Sequence, residues 1–296
     1  MQTKKFETVF GGEKLVAEFS DLADQTNGSV LVRYGGTVVF ATAVMSKRTK
    51  DGLDYFPLSV DYQEKFYAVG MILGGRFMKR EGRPSDEAIL SGRIVDRTIR
   101  PLFNSDLRNE VQVVVTILSL DKYDPDVLGV IAASLALGTS PIPWGGPVSA
   151  VRIGKSKNGT DFLINPSYEM RSPSTGSTSS PQASSGQANS VESDYELDVF
   201  ACGKDGTINM IEVGANEASE ETLMKALEKA NEELQKIQKF QEMIIKEIGQ
   251  PKSQIKKTEI AEDLKAAFEK EVVSKFILKK RVVCIRFIRG RICYIC

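Results

Sequence analysis

The first part of the chain alternates between short apolar runs and glycine pairs, a pattern typical of strands joined by tight turns. Two short strands flank Gly11-Gly12, and two β-branched runs, at 29–34 and 37–45, are joined through Gly35-Gly36. Glycine pairs at such positions favour hairpins, because glycine adopts the positive φ angles that short turns require. The same kind of pattern predicts further strands at 57–62, 111–120, 148–153, 161–164, 195–201 and 207–213.

Three stretches carry apolar residues at helical spacing behind a helix-start signal. Ser85, Asp124 and Ser219 can each accept a hydrogen bond from a first-turn backbone N–H group, and acidic residues or proline follow them. The predicted helices run from these caps to about residues 99, 137 and 248, and another begins at residue 258. The helix after Asp124 is apolar nearly all round, so it is expected in the core.

Strands, then a helix, then more strands predict an α+β fold, a mixed β-sheet packed with helices, followed by a small all-α domain. We place the first domain at 1–214 and the helical one at 215–275. Residues 172–190 hold eight serines and no charged residue, so we expect a disordered insertion within the first domain. The last segment, 276–296, is an atypical basic tail.

The composition excludes several classes of chemistry and location. The chain has no histidine, which removes imidazole-based triads and histidine-ligated zinc. No apolar run of about 18 residues is present, and the N-terminus lacks an apolar signal segment. We therefore expect a cytoplasmic protein without a membrane partner.

The cysteines and the tail leave two questions open. Cys202 stands alone in a predicted strand, whereas Cys284, Cys293 and Cys296 lie in the tail. The pair Cys293-x-x-Cys296 could bind metal. Because Cys284 is the one obvious further ligand, we predict no metal site. The tail carries six basic residues from Lys279 onward and no acid. It is either a nucleic-acid-binding tail or, as we favour, a translated stretch outside the native fold at a frame break.

Positive charge gathers between residues 76 and 103, where seven lysines and arginines face only four acids in a chain of zero net charge. The segment opens as a loop with a basic and aromatic character that suits phosphates and stacked bases. Its predicted RNA contacts are Phe77, Lys79, Arg80 and Arg83. The alternative is a solvated charged loop with one anchoring aromatic ring.

The helix that follows carries three more arginines. Arg93, Arg97 and Arg100 recur at helical spacing and line a face different from the packing face. Together with the preceding loop, they suit a phosphate-rich ligand such as nucleic acid. The alternative is that they complement the C-terminal end of the helix and form internal ion pairs, for instance with Asp96.

The segment GGRFMKREGRPSDEAILSGRIVDRTIRPLF, with its lead-in DYFPLSVDYQEKFYAVGMI, resembles the bacterial polynucleotide phosphorylase family. The resemblance falls on the first of that family's two ribonuclease-PH-like cores. It continues through DPDVLGVIAASLAL and TSPIPWGGPVSAVRIG, resumes after the serine-rich insertion, and takes in the helical unit as the family's linker domain. It covers about residues 5–275.

The resemblance implies a polyribonucleotide nucleotidyltransferase, a processive 3′→5′ exoribonuclease of RNA processing and mRNA degradation. Such enzymes attack RNA with inorganic phosphate, release nucleoside diphosphates, use Mg²⁺, and form ring-shaped homotrimers that can join RNA-degradation complexes. The residues matching the family's channel constriction are Phe77 to Arg80, with Met78 where a second aromatic residue is usual. Arg83 would support the same RNA path. By the same resemblance, the RNA 3′ end or a phosphate near the active site would be contacted by Arg93, Arg97 and Arg100.

The resemblance also implies that the catalytic residues and the Mg²⁺ ligands lie in a second core, which we expect to be missing from this chain. No catalytic residue is therefore predicted here. The first hypothesis is that the chain is the N-terminal part of the enzyme. It would hold RNA in the channel, contribute trimer contacts and be inactive alone. The alternative is a non-catalytic RNA-binding or assembly module.

Overall fold

A computed structural model describes residues 3–49, 53, 55–72, 83–156, 161–171, 195–254, 262–268, 270, 284–288 and 291–295. The strands are β1 (Lys4–Phe10), β2 (Glu13–Phe19), β3 (Gly28–Tyr34), β4 (Thr37–Thr49), β5 (Leu58–Gln63), β6 (Asn109–Ser119), β7 (Ser149–Ser156), β8 (Leu163–Ile164), β9 (Tyr195–Lys204), β10 (Thr207–Ala215), β11 (Cys284–Ile288) and β12 (Arg291–Ile295). The helices are α1 (Asp86–Ile99), α2 (Pro125–Thr139), α3 (Tyr168–Arg171), α4 (Glu220–Ile248) and α5 (Glu262–Phe268).

The N-terminal strands build a six-stranded sheet in the order β1-β2-β3-β4-β6-β5. All its pairs are antiparallel except β5 with β6, so the sheet is mixed as predicted. Both glycine pairs lie at hairpin turns, where Gly11, Gly12 and Gly35 adopt positive φ angles. The parallel strand β5 is an edge strand, and α1 forms the connection from β5 toward β6.

A second sheet of four strands has the order β10-β9-β7-β8. Where the strand pattern alone predicts one mixed sheet, the structure divides the strands between two. Alternation of apolar residues identifies a strand but not its partner, because pairing depends on contacts distant in sequence. The predicted strand at 161–164 is shorter than expected and contains only Leu163–Ile164.

Helix α2 forms the centre of the core. All but one of its fifteen residues are buried, and it packs against β3, β4 and β6 of the first sheet and β7 of the second. The Asp124 side chain caps it by accepting a hydrogen bond from the Asp126 backbone N–H at 2.9 Å, with Pro125 in the first turn. The predicted cap and the predicted all-apolar character are both confirmed.

Helix α4 packs on β7, β9 and α2. Its N-cap is Ser219, as predicted, and Gly249 follows its last residue. Ala226, Ala230 and Ile244 are fully buried on its inner face. The division of the chain at residue 215 stays a prediction, but the first helix after that point shares the core of the preceding strands.

Two predictions concern segments only partly described. The serine-rich insertion at 172–190 lies outside the described residues. In the tail, β11 and β12 pair with each other as an antiparallel two-stranded sheet. Whether 276–296 belongs to the native fold stays a prediction.

Candidate nucleic-acid interface

Helix α1 carries the predicted arginines and lies along the edge strand β5. Its N-cap is Ser85, whose side chain accepts a hydrogen bond from the Ala88 backbone N–H at 3.0 Å. The face predicted to pack on a sheet is confirmed as buried, and it consists of Ala88, Ser91, Gly92, Val95 and Ile99. Gly92 faces β5, since a Cβ at that position would lie in ordinary contact with the Tyr62 Cβ, at 3.4 Å.

Arg100 at the end of α1 is fixed by hydrogen bonds within the fold. Its Nε and Nη2 donate to the two carboxylate oxygens of Asp96 at 2.9 and 2.6 Å. Its Nη1 and Nη2 donate to the carbonyls of Phe56 and Leu58 at 3.5 and 3.1 Å. The guanidinium thereby joins α1 to the start of β5. The internal ion pair with Asp96, which was the alternative for this arginine, is present. Contact between Arg100 and RNA stays a prediction.

Arg93 and Arg97 are exposed and lie one helical turn apart. Neither forms an ion pair or a side-chain hydrogen bond within the part of the chain that the structure describes. Two guanidinium groups on neighbouring positions of a rigid helix repel each other mildly, and an anion between them would relieve that repulsion. Of the three α1 arginines, these two are available for an external phosphate.

Arg83 is also exposed, two residues before the α1 cap. The cap itself is tied to the end of β5, because the Ser85 hydroxyl donates to the Glu64 carboxylate at 2.8 Å. The other predicted loop contacts, Phe77, Lys79 and Arg80, lie outside the described residues. Glu64, directly after β5, and Ser85, the α1 cap, are thus held next to each other.

A cleft of about 380 Å³ opens between α1 and β5. Arg93, Arg100 and Asp96 line it from the helix, and the edge strand adds Asp61 and Gln63 over an apolar floor. Sequence reasoning missed the contribution of β5. Its residues form only part of the lead-in to the family motif, and they become part of a site because β5 pairs in parallel with β6 and lies beside α1.

Behind the cleft, a buried polar contact joins β5 to α2. The Tyr62 hydroxyl donates to Asp126 Oδ1 at 2.8 Å. Burial raises the pKa of the Asp126 carboxyl, and the hydrogen bonds from Tyr62 and Ser91 partly offset that rise. The pKa of Tyr62 is raised well above its usual value by burial and by the neighbouring Asp126 charge. This contact positions α1, β5 and α2 relative to one another.

Several carboxylates of the described residues form ion pairs or hydrogen bonds within the fold. Arg152 binds both Asp124 and Asp198, the latter at 2.9 Å, and Asp61 accepts a hydrogen bond from Gln112 at 2.7 Å. Among the described residues, no group of three or more His, Cys, Asp or Glu could hold a metal ion. The carboxylates of the described residues therefore do not fit a Mg²⁺ site.

Cys202 lies in β9, as its predicted strand position requires, and is fully buried. Burial raises the pKa of its thiol to about 12. Since the thiolate is the nucleophilic form, this thiol is a poor nucleophile at neutral pH.

No helix in the described part of the chain is both long and apolar enough to cross a membrane.

Comparison with known proteins gives consistent matches. Residues 12–143 match the 3′ exoribonuclease family, domain 1. The chain is 43% identical over 268 residues to a polyribonucleotide nucleotidyltransferase of Syntrophomonas wolfei, an alignment covering 90% of this chain and 35% of that protein. It is 42% identical over 288 residues to the protein of the same name from Streptococcus suis. That alignment covers 95% of this chain and 35% of that protein. The chain thus spans about a third of the length of these curated relatives.

The fold is also similar to that of a solved structure. The crystal structure of rice Rrp46 matches with a TM-score of 0.56 at 12% sequence identity, covering 82% of this chain and 94% of that one. This likeness shows a shared fold and confirms the ribonuclease-PH-like architecture. Residues 12–143 therefore match domain 1 of the 3′ exoribonuclease family, and over most of its length the chain is similar to the N-terminal region of bacterial polyribonucleotide nucleotidyltransferases.

Proposed function

We propose that this chain is the RNA-gripping part of a phosphate-dependent 3′→5′ exoribonuclease that degrades RNA to nucleoside diphosphates. The observation that carries the proposal is that the arginines along α1 differ in their surroundings. Arg100 is fixed on Asp96 and on the start of β5, whereas Arg93 and Arg97 are exposed on the same helix. A rigid helix that presents two exposed guanidinium groups one turn apart suits a phosphate backbone, and Arg93 also lines the cleft.

The basic loop before α1 belongs to the same proposal. We propose that Phe77 stacks on RNA bases, while Lys79, Arg80 and Arg83 meet phosphates. Stacking accepts any base, because each base has a π face, and phosphate contacts carry no sequence information. Such a surface suits processive degradation of RNA of any sequence, as mRNA turnover requires.

The remaining parts of the proposal concern the whole protein. We propose inorganic phosphate as co-substrate, Mg²⁺ as the metal, and catalytic residues in a second core outside this sequence. We also propose a cytoplasmic homotrimer that can join an RNA-degradation complex, with this chain contributing trimer contacts. Support comes from the name shared by the similar proteins and from the family match at 12–143.

Salt-dependent RNA binding tests the role of the arginines. Replacing Arg93 and Arg97 together by Met should reduce the slope of log affinity against log salt concentration by about 1.4, at about 0.7 per phosphate contact on a single strand. The unfolding free energy should change by less than about 0.5 kcal/mol, because both side chains are exposed. The measurement is a titration of a fluorescent single-stranded RNA at several salt concentrations.

The controls separate phosphate contact from general charge. Lys225→Met with Lys239→Met removes two exposed charges from α4 and should leave the slope nearly unchanged. Arg100→Met should instead lower the unfolding free energy by about 1 kcal/mol, since its hydrogen bonds hold α1 on β5. A reduced slope for Arg100→Met would assign it the phosphate contact predicted from the sequence. An unchanged slope for the Arg93 and Arg97 pair would remove α1 from the RNA path.

An activity assay decides between an enzyme and a binding module. The 296-residue chain, incubated with magnesium, phosphate and a short RNA, should release no nucleoside diphosphate, because we assign the chemistry to a second core. Chromatography of the products measures the release. A strong phosphate-dependent signal would show that this chain carries its own catalytic residues, whereas RNA binding without release supports the gripping role.

A further inference from the structure

Two aromatic rings stand exposed on a single 3-10 turn, Phe66–Val69, which follows β5. Phe66 is 45% exposed and Tyr67 is 55% exposed. By contrast, the Tyr62 ring, which lines the cleft, is 4% exposed. Isolated exposed rings are ordinary on protein surfaces, but two adjacent ones on a short turn form a local aromatic surface.

The backbone under these rings is firmly held. Within the turn, the Gly70 N–H donates to the Tyr67 carbonyl at 3.0 Å and the Met71 N–H donates to the Phe66 carbonyl at 3.0 Å. The buried Ala68 links the turn to the first sheet, because its carbonyl accepts a hydrogen bond from the Leu120 N–H at 2.9 Å. Rings on a fixed backbone lose little conformational entropy when a ligand stacks on them.

The turn lies next to the predicted RNA-contact loop. Glu64, three residues before Tyr67, is bound to Ser85, two residues after Arg83. With 3.8 Å between consecutive Cα atoms, Tyr67 lies within about 11 Å of Glu64, and Arg83 lies within about 8 Å of Ser85. The exposed rings and the exposed Arg83 therefore occupy the same end of the fold as the start of α1.

We propose that Tyr67, together with Phe66, is a second stacking platform for the bases of single-stranded RNA. The proposal rests on the proposed function and extends it, because it adds an aromatic contact outside the Phe77 loop. Arg83 supplies the positive charge for the phosphates that connect the stacked bases. Alternating aromatic and basic groups are the arrangement with which proteins hold single strands without sequence preference.

Replacing Tyr67 by Leu tests the platform in the 296-residue chain. The substitution removes the π face and keeps an apolar side chain, so RNA affinity should fall by about 5- to 100-fold. The slope of log affinity against log salt concentration should not change, because no charge is lost. Tyr67→Phe keeps the ring and should restore most of the affinity.

A matched control uses the other exposed tyrosine near β5. Tyr55 is 56% exposed and precedes β5, whereas Tyr67 follows it, so the six-residue strand of about 20 Å separates them. Tyr55→Leu should leave RNA affinity unchanged. Equal affinity of Tyr67→Leu and the unaltered chain, or equal losses at Tyr55 and Tyr67, would overturn the platform while leaving the gripping role intact. Failure of the unaltered chain to bind RNA would overturn both.

Discussion

Replacing Gln241 by Leu should lower the free energy of unfolding by roughly 3–5 kcal/mol. The Gln241 side chain is fully buried between α4, α2 and β7. Its Oε1 accepts a hydrogen bond from the Ser134 hydroxyl at 2.6 Å, and its Nε2 donates to the Val148 carbonyl at 2.8 Å and to the Ser149 hydroxyl at 3.1 Å. Leucine has a similar size but removes the partner of the Val148 carbonyl and of both serine hydroxyls, which costs about 1–3 kcal/mol for each group left without a partner. The Ser134 hydroxyl keeps the hydrogen bond that it accepts from the Val148 N–H at 2.9 Å.

Urea denaturation followed by circular dichroism measures this change. The control is Gln235→Leu, the same substitution at an exposed position of α4, which should change the unfolding free energy by less than about 0.5 kcal/mol. The experiment also tests the division at residue 215. One cooperative transition at reduced stability indicates that α4 unfolds with the strands. A nearly unchanged free energy of unfolding for Gln241→Leu would contradict the hydrogen bonds that join α4 to α2 and β7.

Replacing Gly28 by Ala should cost about 3 kcal/mol or more. Gly28 begins β3, and a Cβ at this position would lie 2.2 Å from the Ala136 carbonyl oxygen and 2.9 Å from the Ser140 Cβ. The Ala136 oxygen belongs to the backbone of α2, so it cannot rotate away as a flexible side chain would. The methyl group therefore forces β3 away from the central helix.

Gly214→Ala in β10 is the matched control, because a Cβ there meets no atom closer than 3.9 Å. We expect a change in melting temperature of several degrees for Gly28→Ala and almost none for Gly214→Ala. Similar melting temperatures for the two variants would show that β3 and α2 are farther apart than the structure places them.

Much of the local structure was predictable because it depends on neighbours in sequence. The caps at Ser85, Asp124 and Ser219 are confirmed, since a side chain that accepts from the first helical turn acts within three residues. The hairpin through Gly35-Gly36 is confirmed for the same reason. The motif around α1 also predicted the family, which the comparisons support.

The role of each arginine was less predictable. The sequence places Arg93, Arg97 and Arg100 at equivalent helical spacing. Only the structure distinguishes them, because it places the carbonyls of Phe56 and Leu58, more than forty positions away in sequence, beside Arg100. A periodic pattern gives the direction in which a side chain leaves its helix, but not what lies there.

The sequence by itself determined the strands, the helix caps, the apolar central helix and the basic segment before and along α1. Each of these depends on interactions within a few residues or on composition. The tertiary structure alone decided that the strands form two sheets, that α4 shares their core, and that β5 forms one wall of the cleft beside α1. These features depend on pairings between distant segments, which hydrophobic periodicity does not specify.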